Sequence, residues 1–205
     1  VDTIVWHGEI QFVAVSAYGK PPLAVSHGGG VFTTRLLDRN SAEAVAAREM
    51  NARVIHALGG DHFTGVVHAE YLRTLETAQW LFLEAAARVG GANISDMIEH
   101  GTGVNPWVEW ARMELAKLRG EVYTLPALRE DYAGILVCLA RQEHPDMSAY
   151  TEPEIAWRMN KKYHAGLIVV SPDARRVQAL LDHYAHRFAD DFLTRATPME
   201  TGRQA

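Results

Sequence analysis

The sequence has one cysteine, no long apolar run and no excess of positive charge, and each absence narrows the class of protein. Cys138 lies in an apolar run, which predicts a buried thiol in a reducing compartment. No stretch of about 18 apolar residues is present, so no membrane span is predicted. The net charge of −5 argues against nucleic acid and anionic membranes as partners. We therefore expect a cytoplasmic protein that binds neither.

The start of the chain is unusual for a native N-terminus. The first residue is Val1, and residues 1–6 begin inside a strand-like pattern. Since native termini rarely open within a sheet, we expect the chain to be a processed or truncated fragment. Its 205 residues, 48% of them hydrophobic, can still form a core in one domain or in a domain with a small subdomain.

Residues 1–120 show a pattern of hairpins and capped helices. A hairpin is predicted over 2–18 with His7-Gly8 at its turn. The glycine-rich loop 26–30 lacks a P-loop lysine, which favours a connecting loop over a phosphate cradle. Ser41 and Asn105 are predicted to cap helices. The expected inner faces of these helices are Ala47, Met50, Val54 and Leu58 in the first, and Trp107, Ala111 and Leu118 in the second.

From residue 121 onward the pattern changes to apolar strands followed by a helix, and a C-terminal α+β subdomain is predicted over 121–205. Apolar strands are expected over 132–141 and within 157–170, followed by a helix that begins at Ser171-Pro172-Asp173. The apolar residues of that helix recur at helical spacing: Val177, Leu180, Leu181, Tyr184 and Phe188. The tail 194–205 is polar and expected to be loose.

Two glutamates are the most informative residues of the chain. Glu70 and Glu84 lie in two apolar runs joined by a short polar link. In an antiparallel hairpin centred on Thr77 they are directly opposed, with Cβ atoms roughly 5 Å apart, where like charges are destabilising. Facing carboxylates in an apolar sheet require a cation or a shared proton, and Mg²⁺ is the natural hard cation for oxygen ligands.

The residues around the glutamates refine this interpretation. Apolar neighbours on the presumed face predict that it is buried, and strand alternation places Arg88 on it. Two acids and a guanidinium suit phosphate bound through a metal. A solvated face of exposed acids, and Arg88 as a counter-ion to Glu84 or to a helix end, are the alternatives. His68 could be a base or ligand, although a lone strand histidine is more often hydrogen-bonded in a core.

Three segments together resemble the metal-binding half of the ATP-grasp enzymes. They are His68-Ala69-Glu70, the run from Phe82 to Arg88, and Gly90–Ile94. The resemblance is strongest over residues 1–120 and looser beyond. The most similar branch is that of the carboxylate–amine ligases, which includes the bacterial L-amino-acid ligases and also shows a Glu-x-Ala-Ala-Arg run.

The resemblance implies roles for individual residues. Glu70 and Glu84 match the acids that hold the Mg²⁺ of Mg-ATP in the family, where Mn²⁺ is a possible substitute. Arg88 matches the arginine that contacts the acyl phosphate or substrate, and is thus the expected catalytic residue. Many members have Asn two residues after the second acid. This chain has Ala86, so a second metal would be bound more weakly or with water completing its ligands.

The resemblance also implies a fold and an activity. The expected fold is α+β, a mostly antiparallel sheet with helices on one face, as in the C-terminal lobe of an ATP-grasp module over 1–120. The expected activity is ATP-dependent ligation of a small carboxylate to an amine, and a homo-oligomer is left open. Because the adenine contacts would precede this chain, the fragment alone is expected to be inactive and to bind Mg-ATP at millimolar concentration or more weakly, about −4 kcal/mol.

Two other classes of function remain open at the level of sequence. A metal-dependent hydrolase could use the same acids with His68, and it would require metal but no nucleotide. The chain could also be a non-catalytic binding module that is derived from the ATP-grasp fold and has lost turnover. Ala86 in place of the usual Asn and the truncated start are both compatible with that alternative.

Overall fold

The computed structural model describes residues 1–20 and 30–193, which form nine strands and four α-helices. Most of the glycine-rich loop and the tail lie outside the described residues. The strands are β1 (Asp2–Trp6), β2 (Glu9–Ala14), β3 (Ser16–Tyr18), β4 (Phe32–Leu36), β5 (Gly65–Arg73), β6 (Trp80–Ala86), β7 (Tyr132–Leu139), β8 (Ile155–Arg158) and β9 (His164–Ser171). The helices are α1 (Ala42–Gly59), α2 (Ile94–Thr102), α3 (Pro106–Arg119) and α4 (Ala174–Asp191).

The strands form two antiparallel sheets. Sheet A has the order β2-β1-β5-β6, and sheet B has the order β3-β4-β7-β9-β8. The predicted α+β class with antiparallel sheets is confirmed. The division at about residue 120 stays a prediction, and backbone pairing crosses it, because β4 pairs with β7.

The main core lies between the two sheets. It joins Ile4 and Val66 of sheet A to Ile135 of sheet B, with α2 and α3 supplying Met97 and Met113 between them. Helix α4 covers the other face of sheet B, and α1 packs against the other face of sheet A. Within the described residues, none of the helices is both long and apolar enough to cross a membrane.

The helix caps follow the sequence, but the predicted inner face is wrong in α3 and only partly correct in α1, where Ala47 is buried. The side chains of Ser41 and Asn105 accept hydrogen bonds from backbone N–H groups in the first turns of α1 and α3, as predicted. In α1 the buried residues are Ala44, Ala47, Asn51 and Ile55, while Leu58 is exposed. In α3 they are Pro106, Glu109, Met113 and Ala116, while Trp107 and Leu118 are exposed.

Polar residues on the inner faces account for both errors. The Asn51 amide donates to Thr3 Oγ1 at 2.8 Å and accepts from the Tyr71 hydroxyl at 2.9 Å. Glu109 accepts from the Tyr123 hydroxyl at 2.7 Å. Buried polar groups are tolerated where such partners exist, so an apolar stripe alone did not identify the inner face.

Cys138 provides a test of core packing. It is a buried free thiol, and burial raises its pKa to about 11. Well below that pH nearly all of the thiol is protonated and unreactive. We expect a thiol reagent at pH 8 to modify the native chain about a hundredfold more slowly than the chain in denaturant, as followed by absorbance. Equal rates in the two conditions would contradict the packing.

Candidate functional site

A cleft of about 1700 Å³ is lined by β1, β5 and β6 of sheet A, by β3 and β4 of sheet B, and by α1 and α4. The ionisable side chains on its sheet A side include Asp2, His68, Glu70 and Glu84. Tyr18 of β3 lines it from sheet B. Both predicted metal ligands therefore line one cleft, which is large enough for a nucleotide-sized ligand.

The predicted pairing of the two glutamates is confirmed, although the register shifts by one residue between them and the turn. Glu70 on β5 is the direct partner of Glu84 on β6, and the strands are joined by a turn in which Thr74 N–H donates to Gln79 O at 2.9 Å. Partners in a register share a face, so the two carboxylates point to the same side of the sheet. The close pair of acids is thus a property of the fold.

The predicted buried apolar face is only half present. His68 is 5% exposed, but Leu72 and Phe82 are 52% and 43% exposed. A β-bulge next to Glu70 shifts the register so that Phe82 pairs with Tyr71, whose ring centroid is 5.9 Å away. An extra residue in one strand reverses the alternation beyond it. The acids therefore lie where a buried sheet meets an open cleft.

The two glutamates differ in their surroundings. Glu70 is three-quarters buried, and its Oε1 accepts from the Tyr18 hydroxyl at 2.8 Å. Burial and then this hydrogen bond to Glu70 raise the Tyr18 pKa well above its usual value, an effect that the Arg88 guanidinium partly offsets. Glu84 is exposed, and no hydrogen bond or ion pair within the described part of the chain involves its carboxylate. Glu70 is thus oriented by a hydrogen bond, while the carboxylate of Glu84 remains available to a ligand.

His68 is hydrogen-bonded and buried, as the commoner interpretation of a strand histidine predicts. Its Nδ1 lies 2.9 Å from Asp2 Oδ1, and its Nε2 lies 3.3 Å from the Tyr18 hydroxyl and 3.6 Å from Glu70 Oε1. It therefore connects a buried carboxylate to the acid pair.

Arg88 lies outside the strand on which the prediction placed it. Strand β6 ends at Ala86, so the alternation that predicted its direction does not extend that far. The residue is exposed, and its Nη1 donates to Val89 O at 3.0 Å. The positive charge of its guanidinium acts against the rise in the Tyr18 pKa. Among residues 1–20 and 30–193, no ion pair joins Arg88 to Glu84. The other form of the counter-ion alternative, in which Arg88 pairs with a helix end, stays open.

The donor set fits Mg²⁺ carried by phosphate better than a metal held by protein alone. No group of three or more His, Cys, Asp or Glu side chains in the described ranges is arranged to hold an ion. Ala86, the partner of His68, supplies no ligand. Mg²⁺ usually binds one or two carboxylates and fills its other positions with water and substrate phosphates. Glu70 and Glu84 match that pattern.

Asp2 and Tyr18 are site residues that the sequence analysis missed. Tyr18 lies 52 positions from Glu70, so no local pattern linked them. Asp2 carried a usable signal, because a carboxylate within an otherwise apolar strand requires a partner.

Known structures share this fold. No protein-family model matches the chain, and no curated protein matches its sequence. The fold is that of the ATP-grasp ligases. The L-amino acid ligase from Bacillus licheniformis is 14% identical with a TM-score of 0.65, and the match covers 94% of this chain and 50% of that one.

Two further structures agree with this result. The carboxyaminoimidazole ribonucleotide synthase from Aspergillus clavatus, complexed with ATP, is 12% identical with a TM-score of 0.65 over 94% of this chain and 50% of that one. The N5-carboxyaminoimidazole ribonucleotide synthetase from Thermus thermophilus is 14% identical with a TM-score of 0.63 over 96% and 51%. The chain thus spans about half the length of these enzymes, and at such identities the likeness establishes the fold.

Proposed function

We propose that this chain forms the metal- and phosphate-binding part of a cytoplasmic, ATP-dependent carboxylate–amine ligase. The observation that carries the proposal is the opposed pair Glu70 and Glu84, which lines a nucleotide-sized cleft in an ATP-grasp fold. Structures with a similar fold support it, since one is an L-amino acid ligase and others were determined with ATP or with ADP and an aminoimidazole ribonucleotide.

The proposed reaction has two steps. A substrate carboxylate attacks the γ-phosphorus of ATP and releases ADP, which gives an acyl phosphate. An amine then attacks the acyl carbon, phosphate leaves, and a C–N bond is formed. Glu70 and Glu84 would hold Mg²⁺, which when bound neutralises phosphate charge. The residues of this chain thus act by orientation and charge, and no covalent protein nucleophile is needed.

The role we propose for Arg88 is to stabilise negative charge on the transferred phosphate or on the oxyanion of the second step. It is exposed, its charge acts on the pKa of Tyr18, which bonds to Glu70, and no carboxylate of the described segments forms an ion pair with it. A planar guanidinium donates two parallel hydrogen bonds to phosphate or carboxylate oxygens.

Substitution of Arg88 tests this role. We expect Arg88→Lys to lower kcat about tenfold or more while the thermal midpoint of unfolding stays unchanged, because an ammonium cannot reproduce the fork. Steady-state kinetics and thermal unfolding measure the two effects. The control is Arg73→Lys, in the same hairpin, whose Nη1 contacts Glu43 at 3.3 Å. An unchanged kcat in Arg88→Lys would make Arg88 a structural residue.

The function itself is tested by a screen for ADP release. The protein that carries this chain is incubated with Mg-ATP and pooled small carboxylates and amines, and ADP is measured by a coupled assay. We expect release that depends on both substrates. Metal-dependent hydrolysis without nucleotide would instead indicate the hydrolase. Nucleotide binding without turnover on any pool would indicate the non-catalytic binding module.

A further inference from the structure

The backbone at Gly90 is in close contact with the Asp2–His68 pair. A Cβ atom built on Gly90 would lie 2.9 Å from both Asp2 Oδ1 and His68 Nδ1, closer than real Cβ atoms approach such atoms. Gly90 is buried and follows Arg88 by two residues. The segment 87–90, here called the Arg88 loop, is therefore packed against this pair, and only glycine leaves room for the contact.

The Asp2–His68 pair is also connected to Glu70, through the Tyr18 hydroxyl. His68 Nε2 lies 3.3 Å from the Tyr18 hydroxyl, which donates to Glu70 Oε1 at 2.8 Å. A continuous series of contacts thus runs from the Arg88 loop through Asp2 and His68 to Tyr18 and Glu70. This series joins the loop of the guanidinium to the more buried acid.

The stability of the fold does not by itself explain a buried carboxylate at Asp2. It is a direct register partner of His68, its side chain is 5% exposed, and its Oδ2 is buried without a hydrogen-bond partner in the described structure. Leaving a buried carboxylate oxygen unsatisfied costs free energy, and an apolar pair of similar volume is often as stable or more so. A buried acid of this kind is better explained by the orientation that it imposes on His68.

We infer that Asp2, acting through His68, is a positioning residue that fixes Glu70 and the Arg88 loop relative to each other. The inference rests on the proposed function, because it assumes that Glu70 binds metal and that Arg88 acts beside it. The Tyr18 hydroxyl occupies Oε1 of Glu70 and leaves the other carboxylate oxygen to a cation. Residues that orient metal ligands in this way commonly affect metal affinity by ten- to a hundredfold.

Two adjacent glycines supply a matched pair of variants. Gly90→Ala adds a methyl group against Asp2 and His68, whereas a Cβ at Gly91 meets no atom within 4 Å. Neither glycine is in the left-handed region, so both substitutions fit the backbone. The two variants add the same methyl group to adjacent residues, but only the one at Gly90 contacts the pair.

The readouts are Mn²⁺ binding by electron paramagnetic resonance and the His68 ring proton signals by NMR of histidine-labelled protein. We expect Gly90→Ala to weaken Mn²⁺ binding about tenfold and to shift the His68 signals, and Gly91→Ala to do neither. Asp2→Asn, which keeps the volume of the side chain, should act as Gly90→Ala does and replaces it if that variant does not fold.

The outcomes separate the inference from the function on which it rests. If Glu84→Gln weakens Mn²⁺ binding but Asp2→Asn and Gly90→Ala leave it unchanged, the positioning role is wrong and the metal site stands. If Glu84→Gln also leaves Mn²⁺ binding unchanged, the acid pair is not a metal site and both proposals fail. Equal losses in Gly90→Ala and Gly91→Ala would overturn the role of the contact.

Discussion

Glu84→Gln is expected to lower ATP-dependent turnover at least about a hundredfold, or roughly 2.7 kcal/mol of barrier. Glu84 is exposed at the cleft, opposite Glu70, so its carboxylate is the more available of the two oxygen donors. An amide keeps the shape of the side chain but removes the charge that a hard cation requires. Steady-state kinetics with saturating carboxylate and amine measure the loss.

The same variant should not destabilise the fold. Replacing one of two opposed acids removes like-charge repulsion, so the thermal midpoint is expected to stay the same or to rise. Glu76→Gln provides the control, because Glu76 is exposed in the turn of the same hairpin and the charge change is identical. Turnover of Glu84→Gln within tenfold of the wild type would remove the metal assignment.

Phe188→Ala is expected to lower the free energy of unfolding by about 3–5 kcal/mol. Phe188 on α4 is fully buried, and its ring lies 5.1 Å from that of Tyr150 and 5.0 Å from that of Phe192. Truncation removes these contacts and leaves a cavity that packed neighbours fill only in part. Denaturant unfolding of wild type and variant measures the difference.

An aromatic residue on the opposite sheet supplies the comparison. Phe82 on β6 is 43% exposed, so Phe82→Ala should cost less than about 1 kcal/mol. Equal losses in the two variants would show that α4 does not pack on sheet B as described.

Features that depend on local spacing were predicted well. All five apolar residues expected on the inner face of α4 are buried. The first hairpin turns at His7-Gly8, and both residues adopt positive φ. In each case the decisive residues lie within a few positions of one another, so periodicity and turn chemistry were sufficient.

Features that depend on distant partners were not predictable in this way. The inner faces of α1 and α3 include Asn51 and Glu109, which are tolerated only because Tyr71 and Tyr123 bond to them from other elements. A search for apolar stripes assigns such residues to the surface.

The candidate site also combines features that were predictable from local spacing with features that depend on distant partners. The register of Glu70 and Glu84 followed from one hairpin. The contact of Glu70 with Tyr18 joins separate sheets, and the bulge beside Glu70 inserts a residue for which the sequence has no distinctive signal.

The order of strands in sheet B constrains how the chain acquires its structure during synthesis. Strand β4 is bordered by β3 and β7, and Arg35 pairs with Gly134, a residue made about 100 positions later. At ribosomal rates of about 5–20 residues per second, β4 waits roughly 5–20 s for that neighbour. Sheet A needs only residues up to Ala86, so it can assemble first. The nascent chain is thus expected to expose one edge of β4 during this interval, when it is most open to mispairing and to chaperones.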